Sequence, residues 1–358
     1  MMTSDDVRII EEAYGIKIDR LVQTRDAYNI TAKDASKYIL RPIKGPPART
    51  YYTFIAVEHL KNNGFDNVCS YLKNKRDMPF VEICGGFYTL TPVIQGCEMS
   101  FDNYKHLAAA SCMLGRMHIA SKGFTMEYAR EKMLKGVCSI EGLKMAEYGD
   151  GRLIEDKVNL WVRCSIGQTP NLFKKRLNDL VRYKKVALRN RRKFELEYLL
   201  VCDEYIAIAE RVIQELEESA YDVIVKETCA EGTICHRDYT AHNIITGPMG
   251  DFVSNFDFCA IELPVYDVAN FLRRKLRKSH WSINDAKFIL EHYNSVMPMS
   301  KDEMHILKLL LMFPQKFWRN VNRYYNSRKS WCEKSCIEKL KEIEEERKSL
   351  EKILSIFD

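Results

Sequence analysis

The chain has 358 residues, 46% hydrophobic and 29% charged, with a net charge of +6. This length accommodates two core-bearing lobes at roughly 100–200 residues each, and the composition is that of an ordinary soluble globular protein. The longest apolar runs, such as Ile306 to Phe313, are broken by charge at Lys308 and fall well short of the ~20 residues a membrane span needs, so no membrane partner is expected.

The N-terminus, MMTSDDVRIIEEAYGI, has acids where a secretory signal carries its basic region, which points to synthesis and folding in the cytoplasm. Arg20 to Ser36 contains no glycine. Lys37 to Ile43 and Phe87 to Ile94 are rich in β-branched and aromatic residues and bounded by Gly or Pro, the pattern of strands. Between them, Thr53 to Asn63 predicts a helix with Phe54, Val57 and Leu60 on one buried stripe and Gly64 closing its end. Residues 1–96 thus form a small strand-rich lobe, with Gln95-Gly96 at the crossing into residues 97–358.

The period then becomes helical. Leu107 to Ala120, Asp156 to Ser165, Leu172 to Leu188, Lys193 to Glu217 and most of the chain after Asp267 predict helices; Thr233 to Asp257 interrupts them with short strands and loops. Cys332 to Phe357 is a charged helix with a narrow apolar stripe of Leu340, Ile343, Leu350 and Leu354. The fold class is α+β, and a cleft between two lobes suits a ligand.

Lys174 to Lys193 holds ten Lys or Arg against the single acid Asp179. Without an aromatic-studded RNA motif it reads as a solvated helix face, and no nucleic-acid partner is expected. The twelve cysteines are scattered without a Cys-x-x-Cys pair, so neither a zinc site nor a disulfide scaffold is indicated. Cys332 and Cys336 would share one face of a helix, a candidate crosslink to a partner in an oxidising location.

Chemistry concentrates in His236 to Cys259, HRDYTAHNIITGPMGDFVSNFDFC. Phosphoryl transfer needs a carboxylate for the acceptor hydroxyl, ligands for magnesium and a cation on the phosphates. Asp238 stands five residues before Asn243, the spacing of the kinase loop H-R-D-x-x-x-x-N; these are the candidate base and magnesium ligand. Downstream, NFDFCAIELPVYD resembles the segment of aminoglycoside and choline kinases in which a metal-binding Asp is followed by a second acid and then a structural Asp. An ungapped register from Phe256 to Asn270 puts Asn255 at the metal position, Asp257 at the second acid and Asp267 at the structural acid. The shifted register makes Asp257-Phe258-Cys259 a degenerate Asp-Phe-Gly. A neutral Asn is a poor magnesium ligand, since that ion is held mainly by carboxylates and phosphate oxygens. The strand lysine expected after Tyr38-Ile39-Leu40 is replaced by Arg41, with Lys44 displaced beyond Pro42, and Arg does not substitute freely for a point ammonium. Glu58 is either the partner of Arg41 or a plain helix acid.

With the late stretch Phe313 to Tyr325, FPQKFWRNVNRYY, these motifs resemble the spore coat protein S (CotS) family, a member of the aminoglycoside phosphotransferase and choline kinase branch, over nearly the whole chain. The resemblance implies a two-lobed protein-kinase-like fold, synthesis in the mother cell, a place in the spore coat and other spore coat proteins as partners. ATP and magnesium are the cofactors it suggests. Two readings follow: a pseudokinase-like component acting in coat assembly, with Lys174 to Lys193 and the C-terminal helix as surfaces, and an ATP-dependent phosphotransferase acting on a small hydroxylated or amino-bearing metabolite or on a coat protein. A third, minor reading is a binding protein for an anionic ligand.

Overall fold

The computed structural model describes residues 2–139, 154–327 and 333–357. In chain order the elements are α1 (Ser4–Tyr14), β1 (Ile18–Gln23), β2 (Tyr28–Ala32), β3 (Lys37–Pro42), α2 (Pro47–Asn62), β4 (Phe80–Ile83), β5 (Gly86–Pro92), β6 (Cys97–Glu98), α3 (Tyr104–Ala120), α4 (Met126–Ser139), α5 (Ile154–Trp161), α6 (Thr169–Asn190), α7 (Lys193–Glu218) and α8 (Tyr221–Glu231). They continue as β7 (Ile244–Gly247), β8 (Gly250–Val253), α9 (Val265–Lys278), α10 (Ile283–Asn294), α11 (Lys301–Met312), α12 (Gln315–Asn326) and α13 (Glu333–Leu354). Among the described residues no helix is long and apolar enough to cross a membrane.

These elements form two compact units, each assembled from three stretches of chain. The first comprises Met1–His106, Arg116–Cys164 and Glu231–Ile261; the second comprises Leu107–Gly115, Ser165–Ala230 and Glu262–Asp358. The division differs from the single boundary expected after residue 96. The physical reason is backbone pairing: Val253 of β8 donates to the Asn67 carbonyl at 2.8 Å and accepts from Cys69 N–H at 2.9 Å, which ties the HRD-like segment to the connection between α2 and β4.

That sheet is five-stranded and antiparallel, in the order β1-β2-β3-β5-β4. Side chains alternate between faces along a strand. Ile30, Leu40 and Leu90 therefore share the face that packs against Ile10 of α1, and Arg41 is delivered to the opposite face, opposite Thr89 in register. The helix expected over 53–63 begins earlier, at Pro47, because proline at the first turn has its φ preset and no amide to leave unpaired. Phe54, Val57 and Leu60 are buried as expected, but so are Tyr52, Thr53, Ile55, Ala56 and His59. α2 is thus enclosed nearly all round instead of along one stripe.

A second sheet, β6-β7-β8, follows the Gln95-Gly96 crossing. A Cβ at Gly96 would lie 2.3 Å from the Thr246 carbonyl oxygen, and one at Gly247 would lie 2.0 Å from that of Gln95. Glycine here permits close backbone approach.

In the second unit α6 and α7 form a hairpin, with α12 and α13 packed on it. Tyr183, Phe194, Tyr198, Tyr205, Phe317 and Val321 fill its core; Phe317 stacks on Tyr205 with centroids 3.8 Å apart and planes at 13°. The basic block lies on α6, where Lys174 pairs with Glu217 and Lys184 with Asp203. Arg182 holds Asp179 at 2.9 Å, so part of the block is a paired helix face. Cys336 is buried at 3% exposure in this core, out of reach of a partner chain, and Cys332 lies outside the described residues. Asp267 is fully buried in the first turn of α9.

Candidate functional site

All six candidate residues belong to the first unit. The HRD-like loop leaves Cys235, which is bridged to Ala260. His236 is fully buried. Its Nδ1 accepts the Asp238 amide at 3.1 Å, which leaves the ring proton on Nε2, 2.9 Å from the Ser254 carbonyl oxygen. The His236 ring meets the Phe256 ring edge-on at 4.7 Å. This buried imidazole joins the loop before β7 to the turn after β8. Arg237 between them has φ 65°, a left-handed conformation that is costly for a residue with a Cβ.

Asp238, half-buried, and Asn243 come together as their spacing predicts. A one-turn helix, Ala241–Asn243, brings the Asn243 Nδ2 amide back to donate to the Asp238 backbone carbonyl at 2.8 Å and to its Oδ2 at 3.0 Å. A carboxylate accepts only, so this bond fixes which end of the Asn243 amide faces away from it. The oxygen end, Oδ1, then accepts from Nδ2 of Asn255 at 3.3 Å. Asn255 sits at φ 63°, ψ 58°, a region Asn tolerates. The result is a closed chain of three side chains, from carboxylate through amide to amide.

Asp257, two residues on, is exposed and belongs to the turn Phe256–Phe258. Arg163, after α5, donates from Nη1 to the Asp257 backbone carbonyl. Burial raises the Tyr71 phenol, the Asp257 charge pushes it further, and Arg41 acts in the opposite sense. Both charges are therefore within electrostatic reach of one hydroxyl. Arg41 also offsets part of the burial that lifts Cys69 to about 11.

Glu58 is not the partner of Arg41. Its Oε2 lies 2.8 Å from Lys73 Nζ and its Oε1 3.8 Å from Lys61 Nζ. α2 turns Glu58 toward the extended segment before β4, and Lys73, alternating with Tyr71, meets it there while lying 5.5 Å from the Phe54 ring centroid. Lys44, the displaced lysine, is 3.5 Å from Asp26 in the glycine-free turn closed by the Thr24 amide on the Ala27 carbonyl at 2.8 Å. Sequence reasoning missed Lys73, Tyr71 and Arg163. The i, i+2 spacing of Tyr71 and Lys73 was the only local signal of the first two, and nothing local marked the third.

The donor set suits a nucleotide better than magnesium. Arg41 offers a cation for phosphate oxygens, and with ATP bound magnesium would balance the phosphate charge. At the metal position, however, Asn255 presents a hydrogen-bond donor, Asn243 Oδ1 accepts from it, and the exposed carboxylate is that of Asp257. A hard divalent cation requires oxygen ligands.

The likeness to known proteins extends over the chain. Spore coat protein S of Bacillus subtilis (strain 168) is 22% identical over 277 residues, covering 75% of this chain and 70% of that protein. Endospore coat-associated protein YutH of the same organism is 27% identical over 173 residues, 46% of this chain and 48% of that protein. The aminoglycoside phosphotransferase of Alicyclobacillus acidocaldarius subsp. acidocaldarius DSM 446 superposes with a TM-score of 0.76 at 18% identity, covering 100% of this chain and 96% of that one. Amicoumacin kinase hAmiN, in complex with AMP-PNP, Ca2+ and Ami, gives 0.57 at 13% identity over 96% and 93% of the two chains. At these identities the structural likeness shows the fold, which is α+β and of the aminoglycoside phosphotransferase-like kinase type. The family model described as "Spore coat putative kinase YutH" matches residues 141–357, more than half the chain and the stretch holding the Asp238 loop, the Asn255 turn and the FPQKFW helix, and the chain therefore belongs to that spore coat family.

Proposed function

We propose that this protein is a coat component in which the kinase-like fold serves assembly and phosphoryl transfer is impaired. The observation that carries the reading is the closed chain Asp238–Asn243–Asn255, in which the oxygen a magnesium ion would use accepts an amide proton instead. Two features agree with it. The β1–β2 turn has no glycine to bring backbone amides onto phosphates, and the strand cation is Arg41. Partners would be other coat proteins, as the names of the coat relatives suggest. Exposed basic residues of α6 and the charged face of α13 are the surfaces offered for them.

A second reading, an ATP- and magnesium-dependent phosphotransferase with Asp238 as the base, draws on one observation: Asp257 places an exposed carboxylate two residues from Asn255, where a shifted register would use it. Its acceptor would be a small hydroxylated or amino-bearing metabolite or a coat protein. Calorimetric titration with ATP, with and without magnesium, separates the two. Weak or magnesium-independent binding without turnover is expected. Magnesium-dependent binding with turnover that disappears in Asp238→Asn would overturn the first reading in favour of the second.

A further inference from the structure

The second unit contains a recess of about 540 Å³, its open mouth included, between α9, the Phe313–Phe317 turn and α13. Four cations, Arg273, Arg277, Lys316 and Arg347, line it against one acid, Glu346. Carboxylates already satisfy two of the four. Lys316 Nζ is 2.5 Å from Glu346 Oε1, and Arg347 Nη1 is 2.7 Å from Glu204 and 2.8 Å from Glu351.

The excess charge sits on the other two. The side chain of Arg273 reaches the Leu310 carbonyl oxygen and, at 3.5 Å, Asn270 Oδ1, both neutral. Arg277 comes no closer than 4.0 Å to Glu346. Behind them lie Arg176, stacked over Trp318 at 4.6 Å, and Arg319. Burial holds the Arg273 guanidinium down to about 10; Tyr266 acts the other way, and the charges of Arg277, Arg176 and Arg319 add to the fall. Guanidinium groups gathered this way repel one another unless an anion is shared among them.

The polar inventory points the same way. Buried Arg277 Nε, Arg347 Nε and Trp281 Nε1 have no hydrogen-bond partner, and all three residues line the recess. A buried donor left unsatisfied is costly, and three around one space ask for a ligand that only accepts. His280 and Trp281 have φ of 50° and 60°, successive left-handed residues that set the indole at 8% exposure. Such strain persists where the surroundings enforce it, often at ligand sites.

We propose that this recess binds a small molecule bearing a phosphate group. A phosphate oxyanion accepts at every oxygen and matches the guanidinium fork; Leu311, Phe313 and Pro314 would cover an attached apolar group. The site gives the Phe313–Phe317 signature a role, and it stands whether or not the first unit transfers phosphate.

The full chain labelled with 5-fluorotryptophan tests this by fluorine NMR, with the Trp281 resonance assigned from Trp281→Phe. Titration with phenyl phosphate is expected to shift that resonance saturably. Arg277→Gln should weaken binding at least about tenfold, the scale of one lost charge-assisted hydrogen bond, while Lys334→Gln should leave it unchanged. Should Arg277→Gln fail to fold, Arg277→Lys, which keeps the charge and loses the Nε donor, should weaken binding similarly. Tighter binding of phenyl phosphate than of inorganic phosphate would identify an organic phosphate ligand, and equal binding would identify free phosphate. A Trp281 resonance unmoved by either, or a shift undiminished in both Arg277 variants, would overturn the proposal.

Discussion

At Asn255 one atom decides the character of the site. Aspartate tolerates the left-handed conformation about as well as asparagine, so Asn255→Asp leaves the backbone in place and replaces a donor by an acceptor facing Asn243 Oδ1. The cost without ligand is about 1 kcal/mol, the scale of one hydrogen bond. In exchange the position gains the charge that magnesium favours. ATP affinity measured by calorimetry should become at least about tenfold magnesium-dependent in the variant; equal dependence in the unaltered protein would contradict the role given to Asn255. The Asp238–Asn243 pair was legible in the sequence because five residues of local chain set its geometry. The Glu58–Lys73 pair and the Arg163 clamp on Asp257 were not, since they join positions 15 and 94 residues apart that only the folded chain brings together.

Among the elements, α2 shows how a helix can be anchored by one titratable ring. His59 is 7% exposed, its Nε2 is 2.9 Å from the Lys122 carbonyl oxygen, and it packs edge-on to Phe124 and Tyr128 at 5.3 and 5.0 Å. Burial is the main cause that lowers its pKa below 6.5. The unfolded chain therefore takes up this proton more readily than the folded one, and stability present above about pH 6.5 is lost as pH falls toward the lower folded value. Thermal unfolding at about pH 7.5 and 5.5 should show a drop that shrinks in His59→Gln; an undiminished drop would assign it to other groups. The helices α6, α7 and α12 and the strands β3 and β5 were readable because their apolar residues keep a steady period over many positions. The four-residue strands β4, β7 and β8 are too short to show one. α2 outgrew its stripe because burial on every side leaves no polar face to mark the period.

On the scale of the whole molecule, the two units are interleaved three times along the chain. A cut at residue 96 follows the sequence pattern, yet it separates Val253 from Asn67 and Cys69 and Arg163 from Tyr52, whose hydroxyl donates to the Arg163 carbonyl at 3.1 Å. Residues 97–358 produced alone should therefore elute as aggregate and unfold without a cooperative transition, as judged by size exclusion and circular dichroism. A monomeric fragment with the full chain's transition would show that the unit boundary has no energetic weight. The same interleaving has a consequence in time. A ribosome adding about 5–20 residues per second needs roughly 8 to 30 seconds to pass from the end of the first unit's opening stretch at His106 to its completion at Ile261. Through that interval the N-terminal sheet, already complete in its own strands, waits for the β7–β8 segment of its unit, and Leu107–Gly115 waits longer still, until the C-terminal helices of its own unit have been made.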